Sequence, residues 1–224
     1  MSCLFCDLAH NPEARKNPED QVLAESQFFY VKPALGHFAC GYLLINAKDH
    51  LRSLAYLSTE ALAELNVVKN IFRLRIESLL DCDVILFEHG EVNPNHHPGC
   101  CLEHAHLHLL PLPKSVSDII NLSFPKSEIA SLAELQPYAA NNISYLFYED
   151  RQGTMHVYHI AENLPSQFLR QEFSRRLGKH EQWDWAVFPF REEIIRFSDL
   201  YERKAQAKNW NFSLCGLQQL GSTV

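Results

Sequence analysis

"EHAHLHLLP", Glu103 to Pro111, is the stretch that decides the fold. Side chains alternate across a β-strand, so His104, His106 and His108 share one face and Ala105, Leu107 and Leu109 the other. The apolar face suits a core. The opposite face carries three imidazoles side by side, each able to accept, donate or bind metal. With twelve histidines in 224 residues, this spacing arises by chance in about 3% of chains. Six of the twelve lie between His89 and His108. A half-exposed strand with incidental histidines is the competing reading, and the clustering weighs against it.

The chain is long enough for one large domain or two small ones. A hydrophobic share of 46% and a charged share of 21% are those of a globular protein. The net charge of −7 excludes a mainly electrostatic nucleic-acid binder, which needs clustered Lys and Arg, and no extended nucleic-acid surface is expected. A single nucleotide remains compatible, since it needs only a local pocket of donors. The start, MSCLFCDLAH, lacks a signal-peptide pattern, and no apolar run reaches membrane-spanning length. Seven cysteines, an odd number, fit a reducing cytoplasm better than a disulfide framework. The spacing Cys3-x-x-Cys6 is open between metal binding, a redox pair and two free thiols.

Outward from the histidine strand, VLAES and FFYVK read as short strands around a turn, GYLLIN (Gly41–Asn46) as an apolar strand and DVILFE (Asp83–Glu88) as the next. Between the last two, Ser58 opens a long helix whose stripe Leu62, Leu65, Val68, Phe72, Ile76 and Leu79 steps by three and four. HGEVNPNHHPGCC is a turn-rich loop, and PLPKS begins a connector reaching about Pro125. Beyond it come strands in SYLFYE and TMHVYHI. A helix follows from Pro165 to Leu177 with Gly178 at its C-cap, and a last helix runs from about Arg191 to Lys208. The expected architecture is α+β. It comprises an antiparallel meander with one long helix over residues 1–113, a smaller appended α+β region over 126–208, and a loosely held tail over 209–224.

The motif HAHLHLL has the form His-x-His-x-His-x-x with apolar x, and it resembles the defining motif of the histidine triad family. CLFCDLA, GYLLINAKDHLRSL, LFEHG and GCCLEHAHLHLLP fall in the family's order, so the resemblance covers roughly Cys3 to Pro113. LPSQFLRQEF…WDW looks like the extension of some longer members. The resemblance implies a meander fold and attack on a nucleotide α-phosphate, with the middle histidine, His106, as nucleophile. A neutral imidazole is a good nucleophile near neutrality, and a covalent intermediate divides one hard displacement into two. His108 is the neighbour expected at the phosphoryl oxygens.

The family's phosphate-holding backbone positions match Gly99 and Cys101, and the candidate nucleotide-binding set is Phe5, Gly99, Cys101, His108 and Arg170. Arg170 is weighed between an ordinary surface salt bridge and a phosphate contact from a C-terminal region folded over the pocket. By the same resemblance Cys3, Cys6, His50 and His104 form a closed, structural zinc site with one ion per chain. A rival cluster of His89, His96, His97, Cys100 and Cys101 has irregular spacing; His96 and His97 are expected in a solvated loop near the pocket mouth.

This sequence departs from the family pattern at three places. Tyr42 stands where a fourth histidine is common, no acid for gripping ribose stands near Val31-Lys32-Pro33, and the loop from Gly90 to Gly99 is long. The resemblance implies a cytoplasmic hydrolase of dinucleoside polyphosphates or nucleoside phosphoramidates. A nucleotidyltransferase akin to galactose-1-phosphate uridylyltransferase is the nearest alternative. Retention of His108, where those transferases carry Gln, favours hydrolysis. A non-catalytic nucleotide-binding protein is the alternative from another class. Compact members complete their sites by dimerising, so a homodimer is also an expected partner.

Overall fold

A computed structural model describes residues 3–96, 98–99, 103–120 and 122–210. Eight strands form one antiparallel, open sheet: β1 (Ala24–Glu25), β2 (Phe29–Pro33), β3 (Leu43–Ala47), β4 (Asp83–Gly90), β5 (His106–Leu112), β6 (Lys126–Ile129), β7 (Tyr145–Glu149) and β8 (Met155–His159). Their spatial order is β1-β2-β3-β5-β4-β7-β8-β6. With five helices the architecture is α+β, as the sequence pattern implies. The strands of the C-terminal region continue the same sheet, because β7 pairs with β4 from Leu86↔Glu149 to Gly90↔Tyr145.

Period-two alternation divides the sheet into two faces. On the first, Val31, Leu43, Ile45, Val84, Leu86, Leu107 and Leu109 join one apolar core. That core includes the stripe of α2 (Thr59–Leu80), where Leu62, Leu65, Val68, Phe72 and Ile76 are buried. Ser58 caps α2 by accepting from the Ala61 N–H at 3.1 Å. Buried Glu149 on β7 meets Lys69 and Arg73 of α2, both at 2.9 Å, and ties the helix to the C-terminal strands. The second face carries Tyr30, Leu44, Ile85, Phe87, Leu110 and Leu146, covered by α1 (Leu4–His10) and α4 (Phe168–Arg176).

Several local expectations shift. The CxxC segment is helical: Cys3 is the N-cap of α1 and Cys6 lies in its first turn. Strand β6, a capping box at Ser131 and Glu134, and short helix α3 (Gln136–Ala140) stand between the end of the connector near Pro125 and the strand in SYLFYE, where no element was expected. α4 begins at Phe168 rather than Pro165, because Gln167 takes a left-handed conformation that breaks the run. Gly178, at φ +69, follows its end as expected of a C-terminal glycine. α5 spans Arg191–Ala207. In the expected tail, Trp210 is held by its N–H to the Ala205 carbonyl and by the Arg75 guanidinium over its ring. Residues 211–224 lie outside the described residues.

Candidate active site and metal centre

Both faces of the histidine strand are buried, so the half-exposed reading fails. His104, just before β5, and His106 and His108, within it, belong to two distinct sites, with Phe5 touching both.

The first gathers four ligand atoms. Cys3 and Cys6, three apart on α1, project together. Cys3 Sγ lies 3.5 Å from His104 Nδ1, and Cys6 Sγ lies 3.3 Å from His50 Nδ1 and 3.7 Å from His104 Nδ1. All four ligand atoms lie within 4.8 Å of one another, and among the described residues this is the only such group. Zinc at about 2.3 Å from sulfur and about 2.0 Å from nitrogen gives tetrahedral edges of about 3.3–3.8 Å, so these residues fit the ion. The His104 Nε2–H donates to the Ala47 carbonyl at 2.8 Å. A carbonyl only accepts, so this bond fixes the tautomer and leaves Nδ1 free for metal. His97, Cys100 and Cys101 of the rival cluster lie outside the described residues, as does the expected phosphate contact at Cys101. His96 lies in the turn that its N–H closes onto the Asn93 carbonyl.

The second site is a cavity on the same face of the sheet, beside Phe5. His89, His106 and His108 line it together with Gly99, Gln167 and Arg170. Phe5 lines it as well, with its ring 5.3 Å from that of His104 and 5.5 Å from that of His106. Phe5 thus links the four-ligand cluster and the cavity.

The His106 Nδ1–H donates to the His104 carbonyl at 2.6 Å. The same acceptor logic leaves the lone pair on His106 Nε2. Burial pushes His106 down to about 4, so it is neutral near pH 7. His108 stacks on Phe87 at 4.4 Å and meets the Tyr42 hydroxyl at 2.8 Å through Nδ1. Burial, then the neighbouring imidazoles and Arg170, holds His108 well below its ordinary range. Tyr42 therefore supports the third triad histidine.

Arg170 is not a surface residue in a salt bridge. It is buried, donates to the carbonyls of Gly36 (2.9 Å) and Trp183 (3.0 Å), and stacks over Phe38 and Tyr42. Gly99, at φ +91, is required by a close approach: an added Cβ would lie 2.7 Å from the Pro165 carbonyl and 3.1 Å from Phe168 Cβ. The Gln167 N–H donates to the Gly99 carbonyl at 2.7 Å, which seats the C-terminal segment on the loop before the triad.

No family model matches the sequence, and no curated protein matches it. Solved structures do match the fold. Several of the solved structures it resembles are histidine triad proteins. A histidine triad nucleotide-binding protein from Sulfolobus tokodaii is 20% identical, covering 62% of this chain and 91% of its own, with a TM-score of 0.42. A zinc-bound histidine triad family protein from Mycobacterium smegmatis is 19% identical, covering 63% and 95%, at 0.42. Yeast Ap4A phosphorylase in complex with AMP is 12% identical, covering 70% and 64%, at 0.43.

Four cavity features went unread in the sequence. His89, which the sequence places in the rival metal cluster, lines the cavity. Its Nε2 accepts from the Leu169 N–H at 3.3 Å, and burial pushes it down to about 3. Lys32, Glu19 and Asp20 also line the cavity. Alternation along FYVKP puts Lys32 on the face of Tyr30, and that signal could have found it. The acids sit on the single-turn helix Pro18–Asp20, whose approach is a tertiary event no local pattern encodes.

Proposed function

We propose that the chain is a histidine triad enzyme acting at the α-phosphate of a nucleotide, with His106 Nε2 as nucleophile. The observation that carries this reading is the 2.6 Å bond from His106 Nδ1–H to the His104 carbonyl. It presents a neutral imidazole, with its free nitrogen available, among the walls of the cavity. Attack forms an N–P bond as the P–O or P–N bond to the leaving group breaks. Water then displaces the histidine and releases the nucleoside monophosphate. When Tyr42 donates to His108 Nδ1, His108 Nε2 carries a proton and serves as a donor to the phosphoryl oxygens.

Arg170 supplies a buried cation to the same cavity, and Gln167 Oε1 is buried there without a hydrogen-bond partner among the described residues. Residues between 167 and 185 thus wall the pocket, and the C-terminal region would complete the site within one chain. Cys3, Cys6, His50 and His104 would hold one zinc ion, whose contribution is to fix α1 and the His104 backbone that orients His106. Among the described residues no helix is long and apolar enough to cross a membrane.

Hydrolysis is favoured over transfer on His108 alone, where the resemblance contrasts it with the Gln of the related transferases. The test is incubation with a panel of dinucleoside polyphosphates, nucleoside phosphoramidates and nucleotide sugars, with products separated by reverse-phase chromatography. Free monophosphate is the expected product. A nucleotide passed to a phosphate acceptor would make the enzyme a transferase. Binding without turnover across the panel would reduce the site to a nucleotide pocket.

A further inference from the structure

Three adjacent strands set a row across the cavity floor. Lys32 on β2 is in register with Leu44 on β3, and Leu44 with His108 on β5. All three line the cavity. With strands about 4.8 Å apart, the Lys32 backbone lies roughly 10 Å from that of His108. Lys32 is 3% exposed. Among the described residues no hydrogen bond or ion pair reaches its ammonium, although long buried cations are seldom left unpaired.

The nearest acids are already engaged. Asp20 accepts from the Asn17 amide at 2.9 Å, and Glu19 pairs with Arg191. Each also lines the cavity, and together they only partly offset the burial that pushes Lys32 down to about 8. An ammonium held at that value is still mostly charged near neutrality. A buried, cavity-lining cation with no partner of its own is a place for an anion brought by a ligand.

We propose that Lys32 forms a second anion subsite, and that the cavity takes nucleotides carrying a phosphoryl group beyond the one that meets the triad. The inference rests on the nucleotide reading of the triad cavity and specifies which nucleotides it selects. Two sources share this chemistry: a phosphate on the ribose 2′ or 3′ oxygen, and the far end of a 5′ phosphate chain. Over His108 sits the reacting group; over Leu44 passes the apolar or sugar part; at Lys32 the second charge is met. Asp20 opposes such a ligand, and its charge would set the strength of the selection.

The experiment is calorimetric titration of the zinc-replete full chain with adenosine 5′-monophosphate, the 2′,5′- and 3′,5′-bisphosphates, and α,β-methylene adenosine diphosphate. A uridine series runs in parallel. At least one ligand with a second phosphate should bind about tenfold or more tightly than the monophosphate. A gain confined to the bisphosphates identifies a ribose phosphate, and a gain confined to the methylene diphosphate identifies the chain end. Lys32→Met should erase the difference between the two ligands, and Lys32→Arg should keep it. If Lys32→Met fails to fold, Asp20→Asn carries the test and should widen the difference. Equal binding of mono- and bis-phosphorylated ligands by the native chain, or a difference that either substitution leaves unchanged, overturns the subsite while leaving the nucleotide reading intact. Binding of none of these ligands overturns both.

Discussion

The two faces of one sheet differ in what holds them. On the first, Leu43, Ile45, Leu107 and Leu109 meet the stripe of α2, and order comes mainly from non-directional burial of apolar surface, with the Glu149 pairs to Lys69 and Arg73 the directional addition. The second face carries Lys32, His89, His106 and His108 in the cavity wall and Asn46 beside them. The triad histidines take their order from named bonds: Tyr42 to His108, His104 to Ala47, His106 to the His104 carbonyl. One face therefore tolerates repacking, and the other depends on direction. A polar group there without its partner is costly, and the four-ligand cluster and the α4 segment lie over this face.

The largest expected effect is loss of the metal. Analysis of protein purified without chelator should give about one zinc per chain, and Cys6→Ser should release it and lower the melting temperature by several degrees or more. Zinc-free protein of full stability would show that the second face is held without the cluster.

On the first face, Leu107→Ala should cost about 2–5 kcal/mol in denaturant unfolding, since the side chain is fully buried beneath α2. Turnover per folded molecule should survive, because Leu107 points away from the cavity. A folded variant with lost turnover would break the separation of the faces.

Acid should act chiefly through the second face. Burial pushes His106 and His89 on that face down to about 4 and about 3 and His108 well below its ordinary range, and it pushes His37, whose ring lies against Phe197, down to about 4. The unfolded chain takes these protons near 6.5 while the folded chain refuses them, so stability falls as pH drops from about 6.5 toward 4. Glu88, on the first face, opposes this. Burial raises it to about 7, so the folded chain binds its proton first, and this term gains as pH falls toward 4.5. Four groups against one leave a net difference of three protons, a loss of about 4 kcal/mol per pH unit. Melting curves at saturating zinc that stay flat over this window would refute the neutral, buried histidines.

Tyr42→Phe is the finest probe. It removes one hydroxyl from His108 and should lower turnover about tenfold with little change in melting temperature. Unchanged turnover would remove Tyr42 from the support of His108.

The first face was legible because its signals are local. The stripe of α2, its Ser58 cap and the alternation in LLINA and HLHLL each declare a buried side within a few residues. The second face was legible only where a motif marked it. HAHLH pointed to the triad, and the CxxC with His50 to the cluster. The partners were not, because they come from afar: Tyr42 is 66 residues from His108 and Leu169 is 80 from His89. Arg170 read as surface or phosphate contact because a charged residue on a short helix gives no sign of the aromatic pair Phe38 and Tyr42 that receives it. The Gln167 break that moved the start of α4 is likewise set by its bond to Gly99.

The central claim is that His106 bonds covalently to phosphorus. Full-length protein mixed with the substrate found in the panel, quenched within milliseconds and examined by intact mass spectrometry, should gain the mass of one nucleotidyl group. Peptide mapping should place that group on His106. His106→Ala should show no adduct and lose at least about a thousandfold in turnover. An adduct that persists in His106→Ala, or rapid turnover by that variant, would contradict the account.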